Sequence, residues 1–203
     1  MNSLQSNTLE EYAESGSISS IENHLHKWIA VLKDYRLKTK EEPWGYLERT
    51  QIGFFAAACW LLGIPAREEW RTKKGEGSNE SGGRCDLWIH EPEFFIEAKH
   101  LYCVLSDAGK PNISNVQTFV TRAKADASRL QCQPDQKLAF TFIAPLIPQS
   151  NQDNIDQRMS EWLDAVSRLE HHALAWYLPG RRETRRFSYL NHCPGVVLLI
   201  HRP

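Results

Sequence analysis

The segment from Arg84 to Lys99 constrains this chain more than any other. Arg84-Cys-Asp-Leu-Trp-Ile-His90 and Phe94-Phe-Ile-Glu-Ala-Lys99 are short runs rich in strand-forming residues, and His90-Glu-Pro-Glu93 between them is turn-like. The pair therefore reads as a β-hairpin. Side chains alternate faces along a strand, so Phe94, Ile96 and Ala98 fall on one face and Glu97 and Lys99 on the other. Asp86 of the first strand can lie beside Glu97 on that second face. Carboxylates and ammonium groups are seldom buried unless they are paired or hold a ligand. The fold has to bury this hairpin and still find partners for three charges.

The flanking sequence supplies the cover. Ser19-Ser-Ile-Glu22 reads as a capping box, and Ile21, Leu25, Trp28, Ile29, Leu32 and Tyr35 recur at helical spacing behind it, which predicts a helix over 20–37. A second helix is expected after Pro43, running to Leu62, with an apolar back half that ends at Gly63. Ala66–Arg71 reads as a short strand, and 73–83 as a Gly/Ser/Asn-rich loop. A helix over 115–132, a strand over 137–144 ended by Pro145, a helix over 154–170 and strands at 173–178 and 196–201 complete the order. Helices lead, a hairpin sits in the middle, and alternation follows. That predicts an α/β fold with a mixed sheet and helices on both faces. Residues 1–18 are polar and read as a flexible lead-in to a single domain over 19–203. Cys59, Trp28, Trp60, Trp162 and Trp176 fall on apolar faces and are expected in the core.

Composition closes off several classes. With 203 residues and 41% hydrophobic content the chain can bury a full core, unlike a disordered or collagenous chain. Five cysteines without a paired spacing fit a reduced, cytoplasmic protein better than a disulfide scaffold, and the start lacks a signal peptide. No apolar run approaches a membrane span.

Two carboxylates held side by side repel unless a cation lies between them. Oxygen ligands with open positions suit a hard divalent ion such as Mg²⁺, with Mn²⁺ as a substitute. A lysine beside that ion can orient or help deprotonate a water, which is equipment for hydrolysing a phosphate ester. Asp86, then Glu97-Ala98-Lys99 on an adjacent strand, between helices, resembles the PD-(D/E)xK nuclease superfamily over roughly 44–144. The resemblance implies a restriction-endonuclease-like core, with a mixed central sheet flanked by helices. It implies that Asp86, Glu97 and the Ala98 backbone carbonyl bind metal and that Lys99 assists the water. It also implies a helix acid, Glu48, as a catalytic and metal-binding residue. Cys85 stands where the motif's name has Pro. The function implied is metal-dependent hydrolysis of nucleic acid, DNA foremost, with RNA as the other substrate. A non-catalytic binding or interaction domain on the same fold is the alternative, and cutting both strands of DNA would call for a homodimer.

Candidate phosphate contacts are Arg71, Lys73, Lys74 and Arg84 at the edges of the 73–83 loop. Gln117, Arg122 and Lys124 on the following helix join them, with Arg181, Arg182, Arg185 and Arg186 in a basic loop. The competing readings are cross-strand salt bridges on a solvated sheet, an exposed Glu48 paired with Arg49 or Lys40, and solvated loops. The net charge of −1 looks unfavourable for a nucleic-acid partner. The acidity, however, lies in the first half: residues 1–100 hold 12 Lys and Arg against 16 Asp and Glu, and residues 101–203 hold 12 against 9. The expectation is that the basic groups converge around Asp86 and Glu97.

Overall fold

The computed structural model describes residues 10–75, 81–105, 113–148, 155–179 and 191–203. The elements are β1 (Glu11–Glu14), α1 (Glu22–Thr39), α2 (Glu48–Leu61), β2 (Ala66–Lys74), β3 (Ser81–Ile89), β4 (Phe94–Val104), α3 (Ser114–Ser128), β5 (Lys137–Pro148), α4 (Ile155–Ser167), β6 (Ala173–Tyr177), β7 (Asn191–His192) and β8 (Val196–His201). The sheet runs β1-β6-β8-β5-β4-β3-β2, with the short β7 against β5. Every pairing is antiparallel except β4–β5, which is parallel over Phe95↔Lys137 to Val104↔Leu146. A parallel neighbour requires a crossover, and α3 provides it.

Strand alternation splits the sheet between two cores. Leu138, Phe140 and Phe142 of β5 and Leu198 and Ile200 of β8 pack with Leu25, Trp28 and Leu32 of α1 and Ile52 and Phe55 of α2. Ile143, Val197 and Leu199 point the other way, onto Val116 of α3 and Met159, Trp162 and Leu163 of α4. The expected mixed α/β sheet with helices on both faces is thus observed. Among the described residues no helix is long and apolar enough to cross a membrane. All five cysteines are free thiols, with Cys59, Cys85, Cys103 and Cys193 buried.

Several local expectations are corrected. Part of the supposed lead-in is built into the sheet, because Glu11–Glu14 pairs with β6 at its edge. The capping box does not form: Ser19–Ile21 is a 3₁₀ turn, and α1 begins without a side-chain cap. Burial of Ile18 and Ile21 draws this turn against the core instead. The second helix starts only at Glu48, after a separate 3₁₀ turn at Pro43–Gly45. That turn buries Trp44, whose indole N–H donates to the Cys193 carbonyl at 2.8 Å. Trp60, expected in the core, is 57% exposed. Strand β5 continues through Pro145. The missing N–H is tolerated because it falls between the last β8 pair, Ile143↔Val197, and the first β7 pair, Ile147↔His192, where among the described residues no strand pairs with β5 on that side. Helix α3 ends at Ser128, one turn early, because the next residues bond to the end of β2: Gln131 N–H donates to the Lys73 carbonyl at 3.0 Å, and Gly75 N–H to the Arg129 carbonyl at 2.9 Å.

Candidate active site

Strand β3 is irregular at one residue, Asp86. Its pairing with β4 covers Ile89↔Phe94 to Leu87↔Ile96 and stops there. One step further, where Asp86 would face Glu97, the Asp86 carboxylate accepts the Ala98 N–H at 2.7 Å in place of a backbone bond. On the other edge, pairing with β2 skips the Glu69/Asp86 position, and Glu69 adopts a left-handed φ of 52°. Such a backbone costs a non-glycine residue about 1 kcal/mol or more. The irregularity turns Cys85 toward α3, onto Ala123, Ala127 and Ala139, while Leu87 packs on the α1–α2 side. The strands separate at Asp86, and the charges of the hairpin gather there.

Glu97 is 4% exposed on the α3 side of β4. Its Oε1 lies 2.6 Å from Lys74 Nζ, at the end of β2. Burial pushes the Glu97 carboxyl up to about 7; the Lys74 hydrogen bond pulls it down and Asp86 pushes it further up. Asp86 is likewise raised by burial, against the Ala98 N–H and the charges of Lys99 and Lys74. Lys99 Nζ donates to the Ala98 carbonyl at 2.9 Å and lies 2.8 Å from Asp126 Oδ2 on α3. Burial works against its ammonium, but Asp126, Glu48 and Asp86 outweigh that and leave its pKa raised. Glu48, the first residue of α2, is half-buried and accepts the backbone N–H of His100. Burial raises its pKa, Lys99 lowers it, and Asp86 and Asp126 raise it again. The α2 start and α3 thus bring an acid each to Lys99 from the two faces of the sheet.

The arrangement holds four acids, Glu48, Asp86, Glu97 and Asp126, around two ammonium groups, Lys74 and Lys99. The surplus is negative, and the neighbouring acids each push a carboxyl toward its neutral form. Asp86, Glu97 and the Ala98 carbonyl are hard oxygen donors on adjacent strands, the type a divalent cation takes. Each already meets a donor: Asp86 the Ala98 N–H, Glu97 the Lys74 ammonium and the Ala98 carbonyl the Lys99 ammonium. The donor set therefore fits such an ion in chemistry and charge. Among the described residues no group of three or more His, Cys, Asp or Glu side chains is placed to hold a metal. Two carboxylates and a carbonyl form a smaller set than that.

The structure sorts the candidate phosphate contacts. Arg71 and Arg84 face each other across β2–β3, exposed beside the site, and Arg84 reaches Glu69 at 3.6 Å. Lys73 is exposed at the same strand end. Lys74, a candidate phosphate contact, lies instead 2.6 Å from the Glu97 carboxylate as its counter-ion. Arg122 lies one helical turn before Asp126, with its guanidinium over Phe119 at 5.3 Å. Gln117 and Lys124 are not brought to Asp86; they line a cavity of about 310 Å³ on the β8 side of α3, with Glu170 and His201. Arg181, Arg182, Arg185 and Arg186 lie outside the described residues. Trp88 packs on the α3 side of β3 and stacks on Trp70 at 4.9 Å. Asp126 and the part played by Lys74 were missed in the sequence. The only signal for Asp126 is that it is the single acid on α3, among basic and neutral polar residues. Comparison of the chain with protein-family models, with curated proteins and with solved structures finds no match.

Proposed function

We propose that the protein is a metal-dependent phosphodiesterase acting on nucleic acid, DNA foremost, through Asp86, Glu97 and Lys99. The observation that carries this reading is the break in β3–β4 pairing at Asp86, which gathers two carboxylates, a backbone carbonyl outside the sheet ladder and the lysine bonded to it at one spot. The run α2–β2–β3–β4–α3–β5, with antiparallel pairs followed by one parallel pair, supports a restriction-endonuclease-like core. Exposed Arg71 and Arg84 on the hairpin beside the site support a phosphate-bearing substrate.

In this reading Asp86, Glu97 and the Ala98 carbonyl hold a Mg²⁺ or Mn²⁺ ion. When bound, the ion supplies a Lewis acid for a phosphoryl oxygen and lowers the pKa of a water. Lys99, steadied by Asp126 and the Ala98 carbonyl, orients the attacking water and offsets the charge that grows on phosphorus. Glu48, half-buried with its pKa raised by burial, would take up the proton that the attacking water loses. The hairpin arginines hold the substrate backbone and carry no sequence information.

Purified protein should cut plasmid and linear DNA with Mg²⁺ or Mn²⁺ and should stop when EDTA is added. Asp86→Asn and Lys99→Ala should remove cutting while circular dichroism stays native. Single-stranded DNA and RNA in the same assay fix the substrate class. No cleavage of any of these substrates with either metal, or undiminished cutting by Lys99→Ala, overturns the proposal.

A further inference from the structure

Lys74 is placed with unusual care for a lysine next to a glycine-rich loop. Its backbone is fixed on both edges: it pairs with Ser81 on β3 and bridges to Leu130 after α3. The bonds Gly75 N–H to Arg129 and Gln131 N–H to Lys73 lock the same place. Its aliphatic stem runs across Gly83. A Cβ at that position would stand 3.0 Å from Lys74 Cδ and 3.1 Å from Cγ, so the glycine leaves the room the stem uses. The stem delivers the ammonium to Glu97 at 2.6 Å, with side-chain exposures of 23% and 5%.

The position matters because of what Glu97 is proposed to hold. A divalent ion binds a carboxylate oxygen at about 2.0–2.6 Å. An ion on Glu97 and an ammonium on the same buried carboxylate would be like charges at close range in poorly screened surroundings. One of them has to leave. The strand end is clamped, so the movement falls to the Lys74 side chain.

We propose that Lys74 is a tethered cation which occupies the divalent-ion position at Glu97 and sets the site's affinity for metal by competing with it. This rests on the reading of Asp86 and Glu97 as metal ligands. The lysine keeps the buried carboxylate compensated while no ion is bound, and it weakens ion binding in return. Its release on ion binding places a free ammonium beside the two ligands, where a substrate phosphate gives it a new partner.

The test is Mn²⁺ binding to the full chain at neutral pH, by calorimetry and by the electron paramagnetic resonance signal of free Mn²⁺. Wild type, Lys74→Met, Gly83→Ala and Asp86→Asn are compared. Lys74→Met should bind Mn²⁺ at least about tenfold more tightly than wild type, because a directly competing buried charge is gone. Gly83→Ala, which keeps the lysine but crowds its stem, should fall between the two, and it carries the test alone if Lys74→Met does not fold. Equal or weaker binding by these variants, with wild type binding and Asp86→Asn not binding, overturns the role of Lys74 and leaves the metal site standing. No Mn²⁺ binding by wild type or any variant overturns both.

Discussion

Glu97 and His201 occupy one row of the sheet, separated by Ala139: Glu97 pairs with Ala139 on β5, and Ala139 pairs with His201 on β8. Ala139 packs on Ala123 and Ala127 of α3, and both titratable groups lie on that side of the sheet. They are 4% and 1% exposed. Burial shifts both toward the neutral form, and Glu97 alone of the two has a counter-ion delivered to it. His201 gives up its charge. Its Nε2–H donates to the Glu170 carbonyl at 2.6 Å, a tautomer fixed because a carbonyl only accepts. Burial drives its pKa down to about 4, helped by Lys124, His172 and His171. Glu97 instead has an ammonium delivered to it across the hairpin. A group that can discharge is cheaply buried, whereas a carboxylate kept with its own cation needs a built environment. Under the proposed function the contrast separates structural burial from burial that serves chemistry, and each half can be attacked.

The largest expected effect is on cleavage. Under the proposed function Asp86→Asn and Lys99→Ala each lower the rate of DNA cutting about 10³-fold or more, the range seen when a positioned proton-transfer or charge-stabilising group is lost. His201→Asn keeps the rate within about twofold once its folding is matched by temperature, since a neutral buried imidazole two strands away takes no part. A folded His201→Asn protein that fails to cut would break the comparison at its root.

How much of this could be read from the sequence follows the same line. Asp86, Glu97 and Lys99 were legible because a period of two exposes a charge embedded in an apolar strand. Glu48 was legible through resemblance, and it lies close enough for the charges of Lys99 and Asp86 to act on it. Asp126 was not, because its value depends on how the crossover helix is rotated over the sheet, and the pattern of α3 assigns it only to a polar face. The same rotation sends Gln117 and Lys124 to the cavity near His201, away from the site. Lys74 was hidden by composition. The Gly/Ser/Asn character of 73–83 reads as loop, yet β2 and β3 are strands through Lys74 and from Ser81, where backbone pairing outweighs weak intrinsic preference. Trp60 was misplaced because a helix with nearly continuous apolar residues gives no phase from which to pick its outer face.

Stability gives the next contrast. At pH 9, well above the value of about 7 to which burial raises Glu97, Lys74→Met leaves an ionised carboxylate buried without its cation and should cost about 3 kcal/mol in urea unfolding without divalent ions. Adding Glu97→Gln should recover most of that loss, since no charge then remains to compensate. His201→Asn should cost less, about 1–2 kcal/mol, for one hydrogen bond and some packing. If Lys74→Met is as stable as wild type, Glu97 is neutral in the fold, and the two buried groups are handled alike.

The pH dependence of stability should carry opposite signs at the two positions. His201 is neutral in the fold to about 4 and protonates at an ordinary value of 6.5 when unfolded, so its contribution is lost as pH falls below 6.5. By pH 5 the loss is about 2 kcal/mol, and His201→Asn should flatten that slope. Glu97 is raised from 4.5 to about 7, so its contribution is present below 4.5 and is lost as pH rises through 7. Glu97→Gln should therefore gain on wild type as pH rises over that window, and His201→Asn as pH falls. Melting temperatures from pH 5 to 8 read both, and slopes of the same sign in the two variants would contradict the assignment.

The smallest effect tests whether the two positions are independent at all. Two strand spacings separate them, about 9–10 Å, with Ala139 between them under Ala123 and Ala127. Mutations that far apart with no common partner add to within about 0.5 kcal/mol. A double-mutant cycle of Glu97→Gln with His201→Asn should thus show no coupling above that level, while Glu97→Gln with Lys74→Met should show a few kcal/mol because those side chains touch. Coupling above about 1 kcal/mol in the first cycle would mean that α3 transmits strain along its alanine seat. The histidine would then be a support for the site, and the neutral end of the row would no longer serve as the reference for the charged one.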